Sequence, residues 1–261
     1  MTLLYIIVFC LLGGFLSVLA ASTFLLINQK TRTRILPHLV SFAIGSLLGA
    51  AFLGLLPHAL ESPYVTDAHD ITLAVLIGLL SFFILEKMVL WRHCHSHECE
   101  VHGDDEHSHR EHAAPAATLV IVGDSIHNFV DGVLIAAAFL TDINLGIVTA
   151  LAVAAHEIPQ EVGDFVILLN SGFSRSKALL FNLLTTLGTV VGGVLAYFML
   201  QQIEPLIPYV LAVAASSFIY IAVADLIPSL HKRTNLTATF QQSGLIISGI
   251  LLIYLAHSTL H

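Results

Sequence analysis

The chain is written in long apolar runs, interrupted at fairly even intervals by short polar stretches. A helix that crosses a bilayer needs about 20 mostly apolar residues. By that measure the pattern predicts eight spans, at 3–28, 38–58, 71–91, 117–140, 146–171, 179–201, 207–228 and 241–259. No basic stretch precedes the first apolar run, as a cleavable leader would have, so it is read as a span. Composition agrees. Of 261 residues, 56% are apolar and 11% charged, against roughly 45–50% and about 25% in soluble domains. The balance excludes a disordered chain, a disulfide scaffold and a nucleic-acid binder. The expected fold is an all-α integral membrane protein whose single transmembrane domain covers 1–261. A cell membrane, inner or plasma, is the first expectation for its location, with an internal membrane as the alternative.

Charge then orients the spans. With eight of them, odd-numbered connections face one side and even-numbered connections the other. All ten bases (Lys30, Arg32, Arg34, Lys87, Arg92, Arg110, Arg175, Lys177, Lys232 and Arg233) lie in or beside the odd connections. The even connections carry acids only: Glu61, Asp67, Asp70, Asp142 and Glu204. Positive charge prefers the cytoplasmic side, so both termini are expected to be extracytoplasmic. The sequon Asn235-Leu236-Thr237 then falls on the side where it is not glycosylated.

Two spans end alike: Leu56-Pro57-His58 in the second and Ile227-Pro228-Ser229 in the seventh. The likeness fits an inverted repeat of spans one to three and six to eight around a central pair, a 3+2+3 arrangement. Ordinary helix ends explain the same letters equally well.

Polar residues change the picture most in spans four and five. Span four carries Asp124, His127, Asn128 and Asp131; span five carries His156, Glu157, Gln160, Glu161 and Asp164. Each ionisable group near the bilayer centre costs at least about 2.5–3.5 kcal/mol, so these need compensation. Offsets of three, four and seven residues share a helix face, and the span-four residues occupy those offsets. Two such faces turned together make a cluster of imidazole, carboxylate and amide ligands. That chemistry suits zinc, iron(II), manganese and similar divalent ions. A network that only holds helices together is the competing reading, although such networks usually employ one or two neutral groups. Pro159 frees a backbone carbonyl one turn earlier, and Gly132 and Gly163 are expected to admit close helix contacts.

The runs His127-Asn128-Phe129-Val130-Asp131-Gly132 and His156-Glu157-Ile158-Pro159-Gln160-Glu161 resemble the ZIP (Zrt/Irt-like) metal transporters. The likeness is strongest to the branch whose fifth span reads His-Glu-x-Pro-His-Glu. It implies uptake of divalent metal into the cytosol, with Zn2+ the foremost transported substrate and Fe2+, Mn2+ and Cd2+ as further candidates. It also implies a two-metal centre. By position His127, Asp131, His156 and Gln160 would form one site; Asn128, Asp131, Glu157 and Gln160 the second; Glu161 belongs to the shared motif. Spans one, four, five and six would move against the others. This chain departs from the branch at Gln160, where a weaker, uncharged amide replaces His, and span six offers no carboxylate.

Residues 92–115 form the expected cytosolic histidine-rich loop between spans three and four; 93–112 alone hold seven histidines, two cysteines and six acids. The composition predicts a metal-chelating tract. Metal ion and lipid bilayer are the expected partners, with no nucleic acid and with a homodimer among the allowed assemblies. No enzymatic activity is expected. An intramembrane metalloprotease would share His156-Glu157 but needs a second His at 160. A cation-efflux carrier would share the His127/Asp131 spacing, yet such carriers usually have six spans and cytosolic termini.

Overall fold

A computed structural model describes residues 1–95, 113–231 and 235–260, and among these every regular element is helical. Eight long helices run in chain order: α1 Thr2–Phe24, α2 Gln29–Leu60, α3 Ala68–His95, α4 Ala113–Thr141, α5 Ile143–Asn170, α6 Arg175–Leu200, α7 Glu204–Leu230 and α8 Leu236–Leu260. Each matches one expected span. Five begin on a side-chain cap: Asn28, Asp67, Asp142, Ser174 and Asn235 accept from backbone N–H groups two or three residues on, meeting donors that the first turn leaves unpaired. For Asn235, whose sequon drew attention, capping α8 is the structural role.

Seven helices are long and apolar enough to cross a membrane, and α5 is the exception. Its length of 28 residues suffices; its cluster of polar residues from His156 to Asp164 lowers its apolarity. The chain is a multi-pass membrane protein whose outer faces are apolar: Leu76, Leu80 and Ile84 on α3, and Ile247, Leu251 and Leu255 on α8, are all exposed. Helices α3 and α4 extend into the histidine-rich stretch from either end, and the rest of it, 96–112, lies outside the described residues.

Packing sorts the helices into two groups. In one, α4 lies along α6 and α5, and α1 along α5 and α6; in the other, α2 pairs with α8 and α7, and α3 with α7. Exchanging α1 with α6, α2 with α7, α3 with α8 and α4 with α5 carries the α2–α8 pair onto α7–α3, and α1–α5 onto α6–α4. The equivalence reaches the backbone. α2 widens into a π turn at Ala50–Leu55 and α7 at Ile221–Leu226. In each, the residue before a proline donates five residues back, Leu56 N–H to the Ala51 carbonyl and Ile227 N–H to the Ala222 carbonyl. Proline cannot donate and crowds the preceding turn, and a π turn is one way a helix absorbs that disturbance.

Glycine sets the closest approach. A Cβ on Gly132 of α4 would strike the Thr189 carbonyl of α6, and one on Gly192 of α6 would strike the Phe129 carbonyl of α4. The expectation for Gly163 does not hold, since a Cβ there meets nothing within 4 Å. Its position on α5 faces no neighbouring helix closely enough.

Candidate metal centre

The polar stripe of α4 divides between two neighbours. His127 and Asp131, four residues apart, turn to α5 and meet His156 and Glu157, adjacent on that helix. One ligand atom from each lies within 4.8 Å of every other. His127 Nε2 is 3.3 Å from His156 Nε2, 3.4 Å from Glu157 Oε1 and 3.6 Å from Asp131 Oδ2; His156 Nε2 is 3.3 Å from Asp131 Oδ2. Asp131, His156 and Glu157 are each 1% exposed, whereas the His127 side chain keeps 22%. Three of the four ligands are thus buried, and His127 alone of the four keeps part of its side chain exposed.

Hydrogen bonding fixes the role of one imidazole. His156 Nδ1 lies 3.1 Å from the Ala152 carbonyl. A carbonyl only accepts, so Nδ1 carries the proton and donates. In its neutral form the ring then presents the Nε2 lone pair to the cluster, as a metal-ligating His with an anchored second nitrogen does. Both oxygens of Asp131 and both of Glu157 are buried, and beyond the two imidazole Nε2 atoms they have no hydrogen-bond partner. Buried carboxylates left so are costly, several kcal/mol per ion even after relaxation. A divalent cation held by two carboxylates and two imidazoles would offset that cost.

The other expected ligands lie around this core. Asn128 turns to α6: its Nδ2 donates to Asp124 Oδ1 at 2.9 Å, and its Oδ1 accepts from Thr189 Oγ1 at 2.8 Å. Gln160 is half-buried one turn beyond His156. Glu161 is buried one turn beyond Glu157 and accepts from Asn182 Nδ2 of α6 at 2.5 Å. Asp124 is buried and Asp164 half-buried. The sequence reading missed α6, whose Asn182, Thr185, Thr186 and Thr189 are all buried. The signal was available, because their spacing of three, four and seven repeats that of the α4 stripe.

Two further polar groups flank the centre. Near one end of the bundle, His58, Tyr64, Thr141, Gln201 and Glu204 help line a cavity of about 630 Å3, where Tyr64 donates to Glu204 Oε2 at 2.7 Å. The His58 ring stands edge-on to that of His257, 5.4 Å between centroids. On the other side, the Tyr220 hydroxyl of α7 donates to Glu86 of α3, and Asp225 sits in the α7 π turn.

Comparison with known proteins matches residues 1–93 and 91–257 to the ZIP zinc transporter family. The chain belongs to the ZIP family. It is 33% identical to zinc transporter ZIP13 of Pongo abelii, over 84% of this chain and 66% of that protein. Zinc transporter zipt-7.2 of Caenorhabditis elegans is 32% identical over 87% of this chain and 59% of its own length. Zinc transporter ZIP13 of Danio rerio is 34% identical, over 82% and 74% respectively. The chain therefore spans just under two thirds of the first of these ZIP relatives and less of the second. The resemblance read from the motifs is borne out at the level of the family.

Proposed function

We propose that this chain carries divalent metal, zinc foremost, across its membrane into the cytosol, and that His127, Asp131, His156 and Glu157 hold the ion midway. The observation that carries the reading is a set of four buried carboxylate oxygens gathered around two imidazole Nε2 atoms and otherwise without hydrogen-bond partners. Relatives named as zinc transporters support zinc as the substrate. Asn128, Gln160 and Glu161 lie within about one helical turn of these ligands and would serve a second metal position. The direction follows from the bases, which put the odd connections and the histidine-rich tract in the cytosol.

In transit the ion exchanges most of its water for these four side chains. A carried ion must also leave, so its ligands cannot close around it completely. The partly exposed side chain of His127 suits that need. The cavity beside His58 and Glu204 faces the acid-only connections and would serve as the outer vestibule. Release on the other side requires the group α1, α4, α5 and α6 to shift against α2, α3, α7 and α8. The role is that of a carrier, with no bond made or broken.

The test is metal-dependent uptake into vesicles holding purified protein, with zinc against iron, manganese and cadmium. His127→Ala and Asp131→Ala are expected to bring zinc flux to background with the protein still folded. Lowering pH is expected to slow uptake, since imidazole and carboxylate must lose protons to ligate. Undiminished flux in either variant would move the site elsewhere, and net outward flux would favour an efflux carrier.

A further inference from the structure

Helix α6 brings no carboxylate to the centre, yet it buries a polar stripe against it. Asn182, Thr185 and Thr189 are 2%, 3% and 3% exposed. Thr189 locks Asn128, whose oxygen accepts from the threonine while its nitrogen donates to Asp124. Asn182 acts on Glu161. Its Nδ2 donates to Glu161 Oε2 at 2.5 Å, while Oε1 of the same carboxylate is buried without a partner. Glu161 is 0% exposed and lies within electrostatic range of Glu157, Asp124 and Asp164. Among the described residues no Lys or Arg forms an ion pair with any of these carboxylates. One neutral amide does not compensate a fully buried carboxylate. A proton or a divalent cation on Oε1 would compensate it, and the four-residue cluster one turn away is built from groups able to hold a divalent cation.

Resting on the transport reading above, we propose that Asn182 is a positioning residue: it pins one oxygen of Glu161 so that the other takes the divalent cation on from Glu157. A ligand's hydrogen-bond partner fixes its orientation, and removing such partners typically costs about 10–100-fold in metal affinity or activity. Glu161 free to rotate would be captured less often in its ligating orientation. Asn182 thereby tunes how readily the ion moves past the central cluster.

The experiment is zinc uptake into vesicles by wild type, Asn182→Ala, Glu161→Gln, Glu161→Ala and the Glu161→Ala/Asn182→Ala double variant, with thermal melting of each. Asn182→Ala is expected to raise the KM for zinc by about 10–100-fold. Glu161→Gln keeps an acceptor for Asn182 but removes the charge, and should lose at least as much. In the Glu161→Ala background, removing Asn182 should change uptake no further. An unchanged KM for Asn182→Ala, or losses that multiply in the double variant, would assign Asn182 to helix packing alone and overturn the proposal. Should Asn182→Ala fail to fold, Glu161→Gln carries the test, and wild-type KM there overturns it. A silent wild type would instead overturn the transport reading. Zinc affinity of the purified proteins by calorimetry then judges Asn182 separately, equal affinity in Asn182→Ala counting against it.

Discussion

At residue 160 an amide stands where the resembling branch carries imidazole, one turn beyond a histidine whose Nε2 faces the centre. Gln160 is half-buried on α5, so a ring at this position has room to form without entering a packed core. An imidazole is a stronger ligand for zinc, whereas oxygen donors suit manganese better. Gln160→His is therefore expected to raise the ratio of zinc to manganese uptake several-fold, roughly 1 kcal/mol of added preference per fivefold change. Competition uptake with both metals measures it; an unchanged ratio would mean that position 160 does not touch the ion. Much at this scale was legible beforehand. His127, Asp131, His156 and Glu157 announced themselves as ionisable letters inside apolar runs. The split of the α4 stripe did not, because helical spacing says which residues share a face and not which neighbour that face meets. Asn128 looked equivalent to Asp131 and turned instead to Thr189.

At the scale of the element, existence was easy to read and contact was not. Seven of the eight helices follow from runs of about 20 apolar residues and α5 from a run broken by its polar cluster, but the paired π turns do not: Pro57 and Pro228 announce a disturbance without its form. Glycines give the clearest contrast. Replacing a helical glycine with alanine normally gains about 0.5–1 kcal/mol of stability. At Gly163, where a Cβ meets nothing, that gain should appear as unchanged or slightly raised melting temperature. At Gly132 a Cβ strikes the Thr189 carbonyl, a backbone atom that cannot swing aside. Overpacking of that kind costs typically about 1–3 kcal/mol, so Gly132→Ala should lower the melting temperature and zinc uptake together. Equal melting of the two variants would mean that α4 and α6 do not approach as closely as the packing here describes.

For the whole molecule, the symmetry of the packing and the asymmetry of the charge bear on different questions. The exchange of helix pairs relates the packing of α1–α3 to that of α6–α8, and the proposed frame of eight crossings would place both termini on one side. Only the bases say which side. Their bias toward the odd connections can be checked with the chain's own cysteines, because there are three: Cys10, which is buried within α1, and Cys94 and Cys99 in the histidine-rich stretch. A membrane-impermeant thiol reagent should leave all three unlabelled in intact cells. In inverted vesicles it should label Cys94 and Cys99, and Cys94→Ser/Cys99→Ser should abolish the signal. Labelling in intact cells would reverse the orientation. The termini would then be cytosolic and the same ligands would be approached from the other face. Inward uptake could no longer be argued from the charge pattern, and the cavity beside His58 and Glu204 would become the way out.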